Sequence, residues 1–466
     1  MSLTRPIVRP ILRPIIRSVF DVGVGGGDNT PVLLIPPEGL DWTPPVNIYR
    51  SPSGVYSTDF NADDWKVPAE EDIWVSPTGN NTTGDGSYVA PYRSIQRAMQ
   101  HATAGADVPY NVFVVAGEYP YGSNFNNTVA QRDLNIVAVG GRAKISNRRE
   151  FSGAWTDQGG GAYTCTLGAI SQVYDDANPT AMPDGAQIGQ ELLLVADSAT
   201  CISTAGSYFI DGTTVWVHLF DGRVPDAGPG GRVHLFTLTT QVSATIPGRT
   251  WFMQGLDFES ATSQVLDFRS SGATPVARVV VDDCTARYWS SNSGKAFNLR
   301  GVDLGILHNC RAYHGHGDAF SSSVVSIGGP TTQAIEIGCR AYDLGIAATA
   351  GNIINGSTNH EGCTFVRVNG DYGDTYGPVC ADVGPGTQNW YLGTTAARSL
   401  SGSGDQQDSL FQAGNPSGDT VKTWLDGCVF GEGAHFDLYA GAGCQALYRN
   451  MTPPVSVGGA GTVGTY

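Results

Sequence analysis

The C-terminal half of the chain alternates in short bursts. Cys284 and Ala286, Cys310 and Ala312, Cys339 and Ala341, and Cys363 and Phe365 take every second position of the phrases CTARY, CRAYH, CRAYD and CTFVR. A period of two is that of a strand with one face turned inward. The four cysteines are 26, 29 and 24 residues apart, and a repeat of that length is the mark of a solenoid. A second apolar run precedes each phrase (ARVVV, LGILH, AIEIG), and glycine-rich turns follow. The pattern predicts a coil of parallel strands, one turn per repeat, with Cys284, Cys310, Cys339 and Cys363 stacked inside as small hydrophobes. A later copy, CVFGE, begins at Cys428, and TAARS at 395 reads as a copy without its cysteine.

Two other patterns organise the N-terminal half. In PYRSIQRAMQHATA, residues 91–104, Ile95, Ala98, Met99 and Ala102 fall on one helical face. Pro91 suits a first helical position and Gly105 a stop. This helix is expected to cap the open end of the coil, which uncovered would template aggregation. The strand NVFVVAGEY begins the first turns. At 208–220 the sequence YFIDGTTVWVHLF reads as a β-hairpin turning at Asp211-Gly212. In front of everything, RPIVRPILRPIIRSVF repeats Arg-Pro at Arg5, Arg9 and Arg13, and Arg17 keeps the spacing. Proline every fourth residue excludes a helix, and no apolar run is long enough for a secretory signal or a membrane span. An extended, polyproline-like arm remains, and its aliphatic side chains call for a surface to dock on. The expected organisation is arm 1–20, Pro/Gly-rich linker or small head region 21–71, capping helix and first turns 72–149, β-rich insertion 150–247, regular coil 248–450 and C-terminal tail 451–466.

Composition narrows the class. Glycine (61) and proline (26) are abundant while charged residues make up only 15%, which suits many short strands. The formal charge is -16, and it is more negative still without the arm's arginines. That sign excludes a nucleic-acid binder. Nine cysteines without CxxC spacing argue against a disulfide framework or a zinc site; neither metal nor cofactor is expected.

Residues 74–119, from WVSPTGNN through the capping helix to VVAGEY, resemble the opening of right-handed parallel β-helix proteins of the pectate-lyase-like superfamily. The hairpin segment 208–225 is similar to one that many of these proteins insert before the regular coil. The arm, MSLTRPIVRPILRPIIRSVFDVGVGGG, resembles the N-termini of tailed-phage structural proteins. Together the resemblances imply an all-β, right-handed parallel β-helix of the tailspike kind. They imply a virion tail protein made in the bacterial cytoplasm, attached through Arg5, Arg9, Arg13 and Arg17 to other tail proteins. They also imply a homotrimer that meets a host surface polysaccharide.

Aligning the turns by their cysteines places GKAF, GDAF, DSLF and GAHF together, with Lys295, Asp318, Asp408 and His435 outward. The segment DYGDTYG adds Asp371 and Asp374. Asp318 and Asp374 then lie two turns apart, about 9.6 Å, near the upper limit for an inverting glycosidase. The expected catalytic set is Asp318, Asp374, Asp408 and His316; the expected saccharide-binding set is His314, Tyr313, Tyr342, Tyr372, Tyr376 and Asp343. An aspartate in a glycine-rich turn is also an ordinary turn former. Two functions therefore stay open: a depolymerase hydrolysing the polysaccharide, or a non-catalytic tail part whose coil is a rigid rod.

Overall fold

The computed structural model describes residues 30–466 other than 121–124, 126–130, 169, 229, 238–240, 327, 346–352 and 417–418. The arm, with Arg5, Arg9, Arg13 and Arg17, lies outside the described residues. The chain is mostly β, and its strands stack into three long parallel ladders. The first runs from Glu71–Val75 to Thr462–Thr465, the second from the distal part of Tyr110–Tyr119 to Val429–Phe430, and the third from Val242–Thr245 to Val457–Gly458. Along the regular part each strand pairs with the third strand after it, so every turn contributes one strand to each ladder. Strand Val242–Thr245 already belongs to the third ladder, so the coil resumes before 248. Residues 457–458 and 462–465 extend the third and first ladders instead of trailing away. No helix among the described residues is long and apolar enough to cross a membrane.

The corner between the first and second ladders is a single residue in the left-handed conformation. It is Asp283, Asn309, Gly338, Asn369, Gly393 and Gly427 in successive turns, with φ between 47° and 63°. Glycine, asparagine and aspartate are the residues that tolerate this region. The residue after the corner turns inward: Cys284, Cys310, Cys339, Gly370, Thr394 and Cys428. Cys363 is not in this stack. It precedes a first-ladder strand, at the corner shared with Thr332, Thr387, Val421 and Cys444. The expected four-cysteine ladder therefore holds only for Cys284, Cys310 and Cys339, with Cys428 further along. All nine thiols are buried and free.

The helix spans Ile95–Ala104. It starts later than Pro91 because Ser94 caps it, its Oγ accepting from the Arg97 N–H at 3.2 Å. Ile95, Ala98, Met99 and Ala102 are fully buried against the first turns. Residues 30–67, within the stretch expected as linker or head, lie lengthwise over the outer face of the first ladder. Val46, Ile48 and Tyr56, with Trp42, Phe60 and Trp65, cover Val280, Ile306, Ile335, Val366, Trp390 and Trp424. Tyr56 donates to Asp426 at 2.7 Å, Asp41 N–H to Gln388 at 2.8 Å and Val67 N–H to Asn135 at 2.9 Å.

The interior is not wholly apolar. Leu307, Glu336, Arg367, Tyr391 and Leu425 form one inward column of the first ladder. Arg367 Nε donates to Glu336 Oε1 at 3.1 Å and to Ser357 Oγ at 2.6 Å, and its guanidinium lies 3.7 Å from Asp382. Tyr372 donates to Glu336 at 2.6 Å. Phe365 and Tyr391 face the cation, their centroids 4.5 and 5.2 Å from it. None of these ionic groups is more than 1% exposed.

Two small sheets, antiparallel but for the pairing of Leu193–Leu194 with Ser207–Asp211, interrupt the coil between Arg148 and Phe236. The hairpin at Asp211-Gly212 joins Ser207–Asp211 to Thr214–His218. A second hairpin, Gln172–Ala181 with Gln187–Glu191, brings Tyr174, Met182 and Ile188, together with Phe236, onto Tyr288, Tyr313 and Tyr342 of the second ladder.

Candidate functional site

The insertion and the second ladder meet in a seam. Tyr174 pairs with Glu191 across the second hairpin, whose turn carries Asp184-Gly185. Gly189 lets this strand approach closely: a Cβ there would stand 2.0 Å from Asp176 Oδ1, and its N–H donates to Tyr288 Oη at 3.0 Å. Glu191 thereby reaches the coil. Its Oε1 accepts from Gln172 at 3.1 Å, while Oε2 stands 3.2 Å from His316 Nε2 and 3.5 Å from His314 Nε2. His314 Nδ1 is 2.7 Å from Asp343 Oδ2. The structure thus gathers His314, His316 and Asp343, expected from sequence, around a carboxylate that sequence reasoning missed. The missed signal was Asp184-Gly185, a hairpin turn pair like Asp211-Gly212.

Burial favours a neutral Glu191, yet hydrogen bonds from His314 and His316 bring its pKa down to about 2. Burial likewise opposes charge on His314, but Asp343 and Glu191 raise it to about 9. Tyr174 and Tyr288 complete its surroundings. The signs set a pH window. The raised His314 stabilises the fold fully below its ordinary 6.5 and loses that contribution as pH rises through 9; the depressed Glu191 contributes above 4.5 and loses it as pH falls towards 2. The seam is therefore expected to be tightest between about pH 4.5 and 6.5. Thermal unfolding followed by tryptophan fluorescence should give a falling Tm above that window, and His314→Gln should flatten the fall. An unchanged alkaline limb in the variant would refute the assignment.

Beside this cluster opens a cleft of about 490 Å³ lined by Gln172, Glu191, Leu193, Leu194, Tyr208, Ser290 and His316. Leu193 and Leu194 are exposed on its rim. A half-buried carboxylate orienting an imidazole at a cleft wall is an arrangement for moving a proton.

The other expected residues lie elsewhere. His314, Asp343, Asp374 and Arg398 form one column of left-handed residues, with φ between 54° and 61°, along the second ladder. Both oxygens of Asp374 are held by Arg398, at 2.5 and 2.8 Å. Asp318 begins a third-ladder strand, ion-paired to Lys295 and accepting from Asn355 N–H at 2.8 Å. It lines a separate groove of about 380 Å³ with Thr358, His360, Gln412 and Asn415. Asp318 and Asp374 thus stand on different ladders, and the two-turn separation expected for them does not apply. Ser409, not Asp408, is in register with Asp318, because Phe320, Ser357, Cys380 and Phe411 share a column. Tyr313 and Tyr342 are buried beneath the insertion. Tyr372 points into the coil, where it meets Glu336. Tyr376 is partly exposed.

No protein-family model matches the chain, and no curated protein matches it. Solved structures do. The complex of XylC with xylose is 12% identical over 85% of this chain and 70% of that one, with a TM-score of 0.51. A glycoside hydrolase is 10% identical over 85% and 96%, with a TM-score of 0.49, and a rhamnogalacturonan lyase 11% over 81% and 74%, with a TM-score of 0.35. What this chain shares with the XylC structure is its fold.

Proposed function

We propose that this protein binds and cleaves a polysaccharide in the cleft at the seam. The observation carrying the reading is the Glu191–His316 pair at the wall of an open cleft of about 490 Å³, a size in the range of small-molecule sites. The exposed Leu193 and Leu194 offer apolar surface, and Gln172 and Ser290 offer hydrogen bonds, the mixture a sugar ring requires. The fold is shared with a protein solved with xylose, which agrees with this ligand class. In the reaction His316, held by Glu191, takes a proton from the attacking water as its oxygen adds to the anomeric carbon; the glycosidic C–O bond breaks, and the leaving oxygen takes a proton from solvent water, which the imidazolium of His316 then restores. Incubation with purified bacterial surface polysaccharides should release new reducing ends. None from any polymer that the protein binds would remove the enzymatic half of the proposal.

The finer setting is proposed with it. The coil is a right-handed parallel β-helix, the hand that parallel crossovers overwhelmingly take, in a tailspike-like homotrimer of a phage tail made in the bacterial cytoplasm. The Arg-Pro arm at residues 5–20 supports attachment to other tail proteins. Light scattering of the full chain should give the mass of three copies, and deletion of residues 1–20 should leave that mass unchanged while abolishing assembly onto particles. A monomer, or normal assembly of the truncated chain, would contradict this setting.

The non-catalytic rod has its own support. Asp374 is tied to Arg398, and Tyr313 and Tyr342 are spent on holding the insertion.

A further inference from the structure

Across the docked hairpin from the seam cleft, at the other edge of the second ladder, lies a groove of about 340 Å³ with a different chemistry. Arg142, Arg287, Arg311 and Arg340 line it, together with Asp184, Asp257 and Tyr313. The register explains the clustering. Thr285, Arg311 and Arg340 are in-register partners in three successive turns, about 4.8 Å apart. Arg287 lies two residues beyond Thr285, on the same face of its strand.

The carboxylates nearby are already engaged. Asp257 and Asp283 hold Arg142 at 2.7 and 2.9 Å, and Asp283 also faces Arg311 at 3.4 Å. Asp184 accepts from Tyr313 Oη at 2.5 Å and lies 3.7 Å from Arg340. Asp371, next in register after Arg340, lies outside the groove. Arg287 makes no ion pair within 4.0 Å with any described residue, although Glu259 stands in register with it and its charge helps to lower the pKa of Asp176, and its Nε is buried without a hydrogen-bond partner. A chain of formal charge -16 therefore gathers four guanidinium groups at one groove and leaves one of them unpaired.

We infer that this groove binds an oxyanion, a carboxylate or sulfate carried by a saccharide chain, through Arg287 and Arg311 with Arg340 at the rim. Guanidinium groups bind planar oxyanions through paired N–H bonds, and Arg287 and Arg311 have donors to offer. The saccharide part of the inference rests on the proposed function. One hairpin serves both places, presenting Asp184 from its turn here and Glu191 from its end at the cleft. An acidic polysaccharide is thus the substrate class that the second-ladder face selects.

The test is equilibrium binding to the full-length Glu191→Gln variant, which retains every arginine. Three probes of equal length serve: an oligogalacturonate, a sulfated dextran oligomer and a neutral xylo-oligosaccharide. At least one acidic probe should bind tenfold or more tightly than the neutral one, and added salt should weaken it. Arg287→Gln and Arg311→Gln should each cost about tenfold or more on that probe, the worth of a hydrogen bond to a charged group, and leave the neutral probe unaffected. The better acidic probe tells carboxylate from sulfate. Equal binding of acidic and neutral probes, or full affinity in Arg287→Gln, would overturn the inference. Should an arginine variant fail to fold, a salt-independent affinity in the parent would overturn it equally. Cleavage of a neutral polymer without anion preference would sink this site and spare the cleft; anion binding without cleavage of any polymer would do the reverse.

Discussion

Arg367→Ala should cost the fold about 3–5 kcal/mol, the loss expected when one member of a buried ion pair is removed. Its guanidinium is fully enclosed between Glu336 and Asp382. Without it, two carboxylates remain in a cavity walled by Phe365 and Tyr391. The strain is already visible in Asp382, whose pKa burial lifts to about 6 despite Arg367 and the hydrogen bonds of Thr423, Asn389 and Tyr391. A raised carboxylate contributes its stability below the unfolded value and loses it as pH rises through the folded one, so Asp382 is a liability at neutral pH that Arg367 offsets. Urea unfolding at neutral pH should show the loss as a lower midpoint. The double replacement Glu336→Gln with Arg367→Met should be far milder than the single one, because a neutral pair leaves Asp382 as the one charge of this cluster and less to compensate. A single variant within about 1 kcal/mol of the parent would mean that water reaches the pair, against the burial described here.

Glu191→Gln should lower the rate of polysaccharide cleavage by at least a hundredfold without unfolding the chain, the lower end of what positioned proton transfer contributes. The amide keeps the hydrogen bond of Gln172 but no longer presents a carboxylate to His316. His316→Asn should cost as much, and the double variant little more, since residues acting as a unit are not additive. Asp318→Asn and Asp374→Asn should stay within about tenfold of the parent, because neither carboxylate reaches the cleft. The decisive comparison is rate against binding: Glu191→Gln should still bind the polymer. If Asp318→Asn is the slower variant, the reaction belongs to the third-ladder groove.

How far the sequence could be read depended on which residue marks the corner. The two-residue alternation and the capping helix were legible because each is a local period imposed by a buried face. The register was not, because cysteine recurs at two different corners, Cys363 at one and Cys284, Cys310 and Cys339 at the other. The physical mark is the left-handed residue before them, Asp283, Asn309, Gly338 and Asn369, of which Asn369 is followed by glycine instead of cysteine. Counting from Asn369 puts Tyr372 in register with Ala341, which faces inward, whereas Tyr313 and Tyr342 lie one residue further on and face outward. Counting from Cys363 hides this. Glu191 was invisible for another reason. It is 125 residues from His316 and lies in an insertion with no repeat, so only tertiary docking joins them.

The strap of residues 30–67 changes what kind of object the coil is. In a stack whose turns touch only their neighbours, unfolding can start at either end and advance one repeat at a time. Here one continuous segment links the turn of Asn135, through Val67, to those of Gln388 and Asp426, through Asp41 and Tyr56. Losing an end turn therefore means peeling a segment that also holds turns far from that end. The rod should melt in a single cooperative step, as a splinted column fails, and fraying from the exposed C-terminal edge should stop where the splint begins.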